Sequence, residues 1–151
     1  MELQTFKVSG TLELVLTDKN GVVQTQRKHN IVTNVGLAYI ASRIKDASAT
    51  AMTHMAIGSN NTAAAAGNTA LGNELGRVTL DSTTLVTTTL TNDTVQYVAV
   101  FPAGTSTGTI TEAGLFNASS AGSLLCRSVF AAIAKSAEIS LTITWKLQVT
   151  R

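Results

Sequence analysis

Thr83-Thr84-Leu85-Val86-Thr87-Thr88-Thr89-Leu90-Thr91-Asn92-Asp93-Thr94-Val95-Gln96-Tyr97-Val98-Ala99-Val100-Phe101 decides the fold class. Threonine and valine branch at Cβ, which suits an extended, pleated backbone and disfavours helix. Thr91-Asn92-Asp93 interrupts the run with turn-forming residues, so the stretch predicts two strands, 83–90 and 94–101, joined by a polar turn. Its outward positions carry hydroxyls rather than charges. Only 13% of the chain is Asp, Glu, Lys or Arg, about half the usual share. A surface of this kind can be covered at little desolvation cost, and it predicts a chain that is assembled rather than one built around a reaction.

Working outward, the same pattern repeats on both sides. Strands are expected near 109–116, 123–133 and 138–149, separated by Pro102-Ala103-Gly104-Thr105, by Asn117 to Gly122 and by Lys135-Ser136-Ala137. In the last of them Ile139, Leu141, Ile143, Trp145, Leu147 and Val149 share one parity, which predicts burial of all six, with Trp145 a core anchor or an interface residue. Toward the N-terminus, Leu12, Leu14 and Leu16 alternate with polar neighbours, and Asp18-Lys19-Asn20-Gly21 turns the chain into a second strand from Val22 to about Lys28. Asn34 is a candidate cap for one short helix over 34–45, with Leu37, Ile40, Ala41 and Ile44 on its apolar face and Gly36 weakening its first turn. Met52–Ile57 and Arg77–Leu80 complete the strand candidates, with a loop over 58–73 between them. Many short strands with polar turns predict a mainly β domain, an antiparallel β-sandwich or jelly-roll-like arrangement, spanning residues 1–151. Residues 1–10 are a candidate extended arm that could add a strand to a neighbour.

Charge and chemistry exclude several classes. A formal charge of +2 with dispersed basic residues does not describe a nucleic-acid-binding face. The single cysteine, Cys126, cannot form an internal disulfide and reads as an inert strand residue. No signal peptide and no membrane-length apolar run is evident, so synthesis in a cytoplasm and no membrane partner are expected. His29 and His54 lack ligand spacing, no Gly-x-Ser-x-Gly or phosphate-loop pattern occurs, and neither a catalytic residue nor a cofactor or metal site is predicted. Tyr39, Tyr97 and Phe101 are the meagre material for a sugar-binding platform, which leaves a carbohydrate-recognition module as a third reading.

Glu112, in Ile110-Thr111-Glu112-Ala113-Gly114-Leu115-Phe116, admits two readings. It is either an exposed strand charge, or a structural carboxylate that holds a turn through backbone N–H groups or pairs with Arg77 or Arg127. Gly114 marks a bulge or a close backbone approach, with Phe116 held inward.

Three stretches occur in a fixed order: Met55-Ala56-Ile57-Gly58-Ser59, then Thr69-Ala70-Leu71-Gly72-Asn73-Glu74-Leu75-Gly76-Arg77-Val78, then Ile110 to Asn117. Together they resemble small virion structural proteins of tailed bacteriophages, and domains of phage tail-fibre and tail-collar proteins, over roughly residues 52–149. The resemblance implies a non-enzymatic β module. In a short chain without a repetitive shaft it looks most like a capsid cement or decoration protein on the outer surface of a virion. Its partners would then be the major capsid protein and neighbouring copies of itself, or alternatively tail, collar, baseplate or fibre-attachment proteins. Asn60, Asn61, Leu71, Glu74, Arg77, Glu112, Gly114, Phe116 and Trp145 are the structural or interface candidates.

Overall fold

The computed structural model of the chain describes residues 3–151. Its strands are β1 (Lys7–Asp18), β2 (Gly21–His29), β3 (Ile31–Val32), β4 (His54–Gly58), β5 (Glu74–Thr79), β6 (Ser82–Val86), β7 (Thr94–Phe101), β8 (Gly108–Phe116), β9 (Leu124–Lys135) and β10 (Ser140–Thr150), with one helix, α1 (Asn34–Lys45). They form two five-stranded antiparallel sheets, β2-β1-β10-β7-β6 and β3-β9-β8-β4-β5. The fold is a β-sandwich.

Alternation along each strand builds the core. Leu12, Leu14 and Leu16 from β1 meet Leu141, Ile143 and Trp145 from β10 and Ala99 and Phe101 from β7, all on the inner face of the first sheet. Met55, Ile57, Ile110, Leu115, Cys126 and Ile133 answer from the second. Trp145 is a core residue, fully buried, and its indole Nε1 donates to Asn30 Oδ1 at 2.8 Å. That bond matters because Asn30 lies where the chain crosses from β2 to β3, between the two sheets. Four of the six positions expected to be buried in the last strand are buried. Ile139 is half-buried before β10 begins, and Val149 is 38% exposed because the sandwich tapers at that end.

Several expectations need correction. The arm was expected over 1–10, but Lys7, Val8, Ser9 and Gly10 pair with Thr150, Val149, Gln148 and Leu147, so the chain is part of the sheet from Lys7 onward and interior to it from Thr11, where β2 joins. Of the expected arm, Leu3–Phe6 lies outside the sheets, and Met1-Glu2 falls outside the described residues. The strand expected over 83–90 stops at Val86. Beyond it, Asp93 accepts from the N–H groups of Thr88 (2.9 Å), Thr89 (3.0 Å) and Leu90 (3.0 Å), which folds the remaining threonines into a turn.

The helix is capped by Thr33, not Asn34. Thr33 Oγ1 accepts from Gly36 N–H at 2.9 Å and donates to Leu124 O at 2.6 Å. The expected apolar face holds only at Ile40, which packs against the core; Ala41 is exposed, and Leu37 and Ile44 are 52% and 72% exposed. The closest approach of the helix, beside the packing of Tyr39 and Ile40, is at Gly36, where a Cβ would overlap the Leu125 carbonyl of β9. The smallest side chain, not the largest, sets the contact.

Candidate functional site

The outer face of the second sheet is covered by the segment between β4 and β5, residues 59–73, which contains no helix or strand. Ala56, Leu71, Phe116 and Leu124 form a small second core beneath it. Irregular backbone can be buried only if its polar groups find partners, and here one carboxylate supplies them.

Glu112 is fully buried. Its Oε1 accepts from the backbone N–H groups of Asn60 (3.1 Å) and Asn73 (2.8 Å), and its Oε2 from Gly72 N–H (2.9 Å) and Arg127 Nε (2.9 Å). Both ends of the segment therefore converge on a single side chain. Arg127, also buried, holds the middle: Nη1 donates to Asn68 Oδ1 (3.1 Å) and Ala63 O (3.4 Å), and Nη2 to Thr62 O (3.1 Å). Asn68 Oδ1 in turn accepts from Ala65 N–H at 2.8 Å, and Asn60 Oδ1 from Thr62 N–H at 2.8 Å. Asn34 N–H donates to Ala66 O at 2.8 Å, which ties the segment to the first turn of α1.

The sheet register explains why these two charges meet. Arg127 pairs with Gly114, and Glu112 lies two residues along the same strand face, so the two are diagonal neighbours. Gly114, between them on that face, leaves room for the apolar side chains of the small core. A Cβ there would lie 2.8 Å from Leu124 Cδ1 and 2.9 Å from Leu71 Cδ2. Gly114 thus marks a close approach rather than a bulge; the register irregularities flank it, at Ile110/Glu112 and Leu115/Phe116. A buried ion pair stabilises little against an apolar alternative, but it can fix one arrangement among several. Here it fixes a long segment that has no ladder of its own.

Arg77 is engaged elsewhere. Its Nε and Nη2 donate to the two carboxylate oxygens of Glu74 at 2.9 and 2.8 Å, its Nη1 to Ala118 O and Ala121 O at 2.8 and 3.0 Å, and its guanidinium lies 3.7 Å from the centroid of the Phe116 ring. A bidentate carboxylate, two carbonyls and an aromatic face use most of what a guanidinium offers. Arg77 thereby pins the turn after β8, as Glu112 pins the segment after β4.

Of the candidate residues, Asn60, Leu71, Glu112, Gly114 and Phe116 come together in or under this covered face, with Glu74 and Arg77 at its side. Asn61 is exposed on top. Trp145 belongs to the main core and is not part of the site. Arg127, one of the two partners expected for Glu112, is the one it pairs with, and Asn68 and Asn73, which were not singled out from sequence, carry as much of the arrangement. A further buried cation, Lys135, donates from Nζ to Pro102 O and Thr105 O, both at 2.8 Å, and burial pushes its pKa down. Burial also pushes the Cys126 thiol up. Tyr97 and Phe101 are buried and Tyr39 is half-buried, so these three do not make an exposed aromatic platform.

The site presents an uncharged surface of small side chains to solvent: Asn61, Thr62, Ala63, Ala65, Ala66, Gly67, Thr69 and Ala70 are exposed. Among the described residues no group of three or more His, Cys, Asp or Glu side chains could hold a metal ion, and no helix is long and apolar enough to cross a membrane.

The three stretches that carry the sequence resemblance turn out to be one physical unit. β4 pairs with β5 on one side and β8 on the other, and Glu112 of the third stretch bonds the backbone of the second. The chain matches no protein-family model, no curated protein and no solved structure.

Proposed function

We propose that this protein is a bacteriophage virion structural component, a decoration or cement protein that binds the outside of the assembled head and bridges coat subunits. The observation that carries the reading is the convergence of the three resembling stretches on the Glu112–Arg127 cage. Residues that would be scattered if they were chance matches instead cooperate to hold one surface segment rigid. A pre-ordered, uncharged surface suits repeated docking on a lattice. Little entropy is lost on contact, no ion must be desolvated, and many modest interfaces add through effective concentration.

The second face open to partners is the outside of the first sheet. Its central rows carry Thr11, Thr142, Thr144, Gln96 and Lys146 with one internal ion pair, Arg27 to Glu13 at 2.7 Å. This face and the 59–73 segment lie on opposite sides of the sandwich, so one copy could touch two neighbours at once.

Cryo-imaging of intact particles carrying labelled copies tests the proposal. Labels repeated across the head are expected. Labels confined to a single vertex or to the tail would transfer the protein to the tail, collar or baseplate class instead, and particles without label would sink both.

A further inference from the structure

An apolar groove of about 400 Å³ runs between α1 and the inner face of the first sheet where the second sheet no longer covers it. Val8, Tyr97 and Val149 form its floor, Ile40 and Ile44 its helical wall, and Arg43 is its one charged lining residue. Beside it, the segment leading into β1 carries two large apolar side chains without cover: Leu3 is 81% and Phe6 63% exposed. In the single chain neither enters the groove.

We propose that this groove receives the Leu3–Phe6 segment of a second copy, and that two copies exchange these segments reciprocally about a two-fold axis. Three features lead to this. First, Val8 both succeeds the segment and lines the groove, so the root of the donor and the mouth of the acceptor belong to one patch. A patch that contains both halves of a contact is self-complementary, which a two-fold dimer requires. Second, the four residues span at most about 14 Å when extended, so donor and acceptor must already abut. Third, the sequence places an acid, Glu2, next to Leu3, while Arg43 stands in an otherwise uncharged groove; among the described residues its hydrogen bonds, to Ala47 O and Ala49 O, both come from Nη1. The exposed Ile44 left over from the helix's unexpected packing then has a purpose, as the wall against which the incoming side chain rests.

The inference goes beyond the virion reading and stands without it, because purified protein with no particle tests it. Sedimentation of the full chain over a range of concentrations is expected to show a monomer–dimer equilibrium. Leu3→Ser/Phe6→Ser and, separately, Ile44→Glu alter exposed positions and are expected to leave the thermal midpoint of the dilute monomer unchanged while weakening the dimer roughly a hundredfold, the loss typical of removing apolar anchors. Mixing the two variants is expected to restore a heterodimer, since one retains the groove and the other the donor segment. Phe6→Cys with Ile44→Cys is expected to give a covalent dimer on oxidation. A wild-type chain monomeric at every concentration, a dimer that survives both variants, a mixture that stays monomeric, or a bridge formed only within one chain would each overturn the assignment. So would a monomer whose Ile44→Glu variant alone fails to attach to purified heads, which would give the groove to a coat subunit.

Discussion

Replacing Glu112 by Gln removes one negative charge and almost no volume, so its effect isolates the charge and its hydrogen bonds. Glutamine Oε1 can still accept from Asn60 and Asn73. The Nε2 that replaces Oε2 then faces two donors, Gly72 N–H and Arg127 Nε, both 2.9 Å from the original oxygen. Two hydrogen bonds are lost, and Arg127 remains as a buried charge without its counter-ion. Breaking a buried pair in this way costs about 3–5 kcal/mol, which for a chain of this length lowers the thermal midpoint by roughly 6–20 °C. Urea unfolding of Glu112→Gln, Arg127→Met and the double variant measures the effect. The double variant is expected to be destabilised by about 0.5–3 kcal/mol less than the sum of the singles, because each single strands the other's charge. Hydrogen exchange adds a local readout: the Asn60, Gly72 and Asn73 amides should lose protection ahead of the sheet amides. A Glu112→Gln variant within about 1 kcal/mol of wild type, with the Gly72 and Asn73 amides still protected, would show that the segment does not depend on this carboxylate.

Gly36→Ala should gain about 1 kcal/mol of helix propensity, yet its Cβ would overlap the Leu125 carbonyl, and overpacking of that kind typically costs about 1–3 kcal/mol; the urea midpoint is expected to fall, and a rise would place α1 further from β9. Asp93 is held well below the usual carboxylate range, first by its bond from the Leu90 N–H and further by Gln148, Thr88 and Thr89. A depressed folded pKa gives stability that is present above the ordinary carboxyl value of about 3.9 and is lost as pH falls below it. Asp93→Asn should flatten that acid limb in unfolding measured down the pH scale, and an unchanged limb would count against it. Cys126 is buried and its thiol is pushed up, so a disulfide reagent should leave the folded protein unmodified at mildly alkaline pH and titrate one thiol once denaturant is added. Rapid labelling of the folded chain would contradict the packing of β9.

How much of this was legible depended on whether the deciding contact was local. The first hairpin could be read because Asn20-Gly21 sets the turn and Leu12, Leu14 and Leu16 set the face, all within one short stretch. The sandwich could be read from the same alternation repeated. The helix could be located but not oriented: its docking contact is Gly36 against a carbonyl at Leu125, which no periodicity of apolar residues encodes. The strand beyond Val86 misled because threonine favours extension in general, while Asp93 supplies an alternative for those particular N–H groups. Segment 59–73 was legible as a loop and Glu112 as a candidate structural carboxylate. Which turn it holds, and that its partner is Arg127 rather than Arg77, were not, since that choice needs the β8–β9 register that sets Arg127 diagonal to Glu112.

The placement of charge connects architecture to the proposed role. From Glu13 onward, Asp18, Asp46, Glu74, Asp81, Asp93 and Glu112 all accept hydrogen bonds from this chain's own turns or cations, as does Glu13 itself; only Glu138 does not among the described residues. Acidic groups are thus spent on fixing turns, crossings and the covered face. Threonine, alanine, asparagine and glutamine, with dispersed lysines and arginines such as Lys146, remain for neighbours to touch. The uncharged groups among them give up water at less cost than ions and make contacts that salt does not screen. A surface made this way gains little from any single encounter and loses little by being covered, so its usefulness depends on being presented many times in fixed geometry. That is the condition a regular shell supplies, and it is also why the chain invests buried ion pairs in holding one loop still.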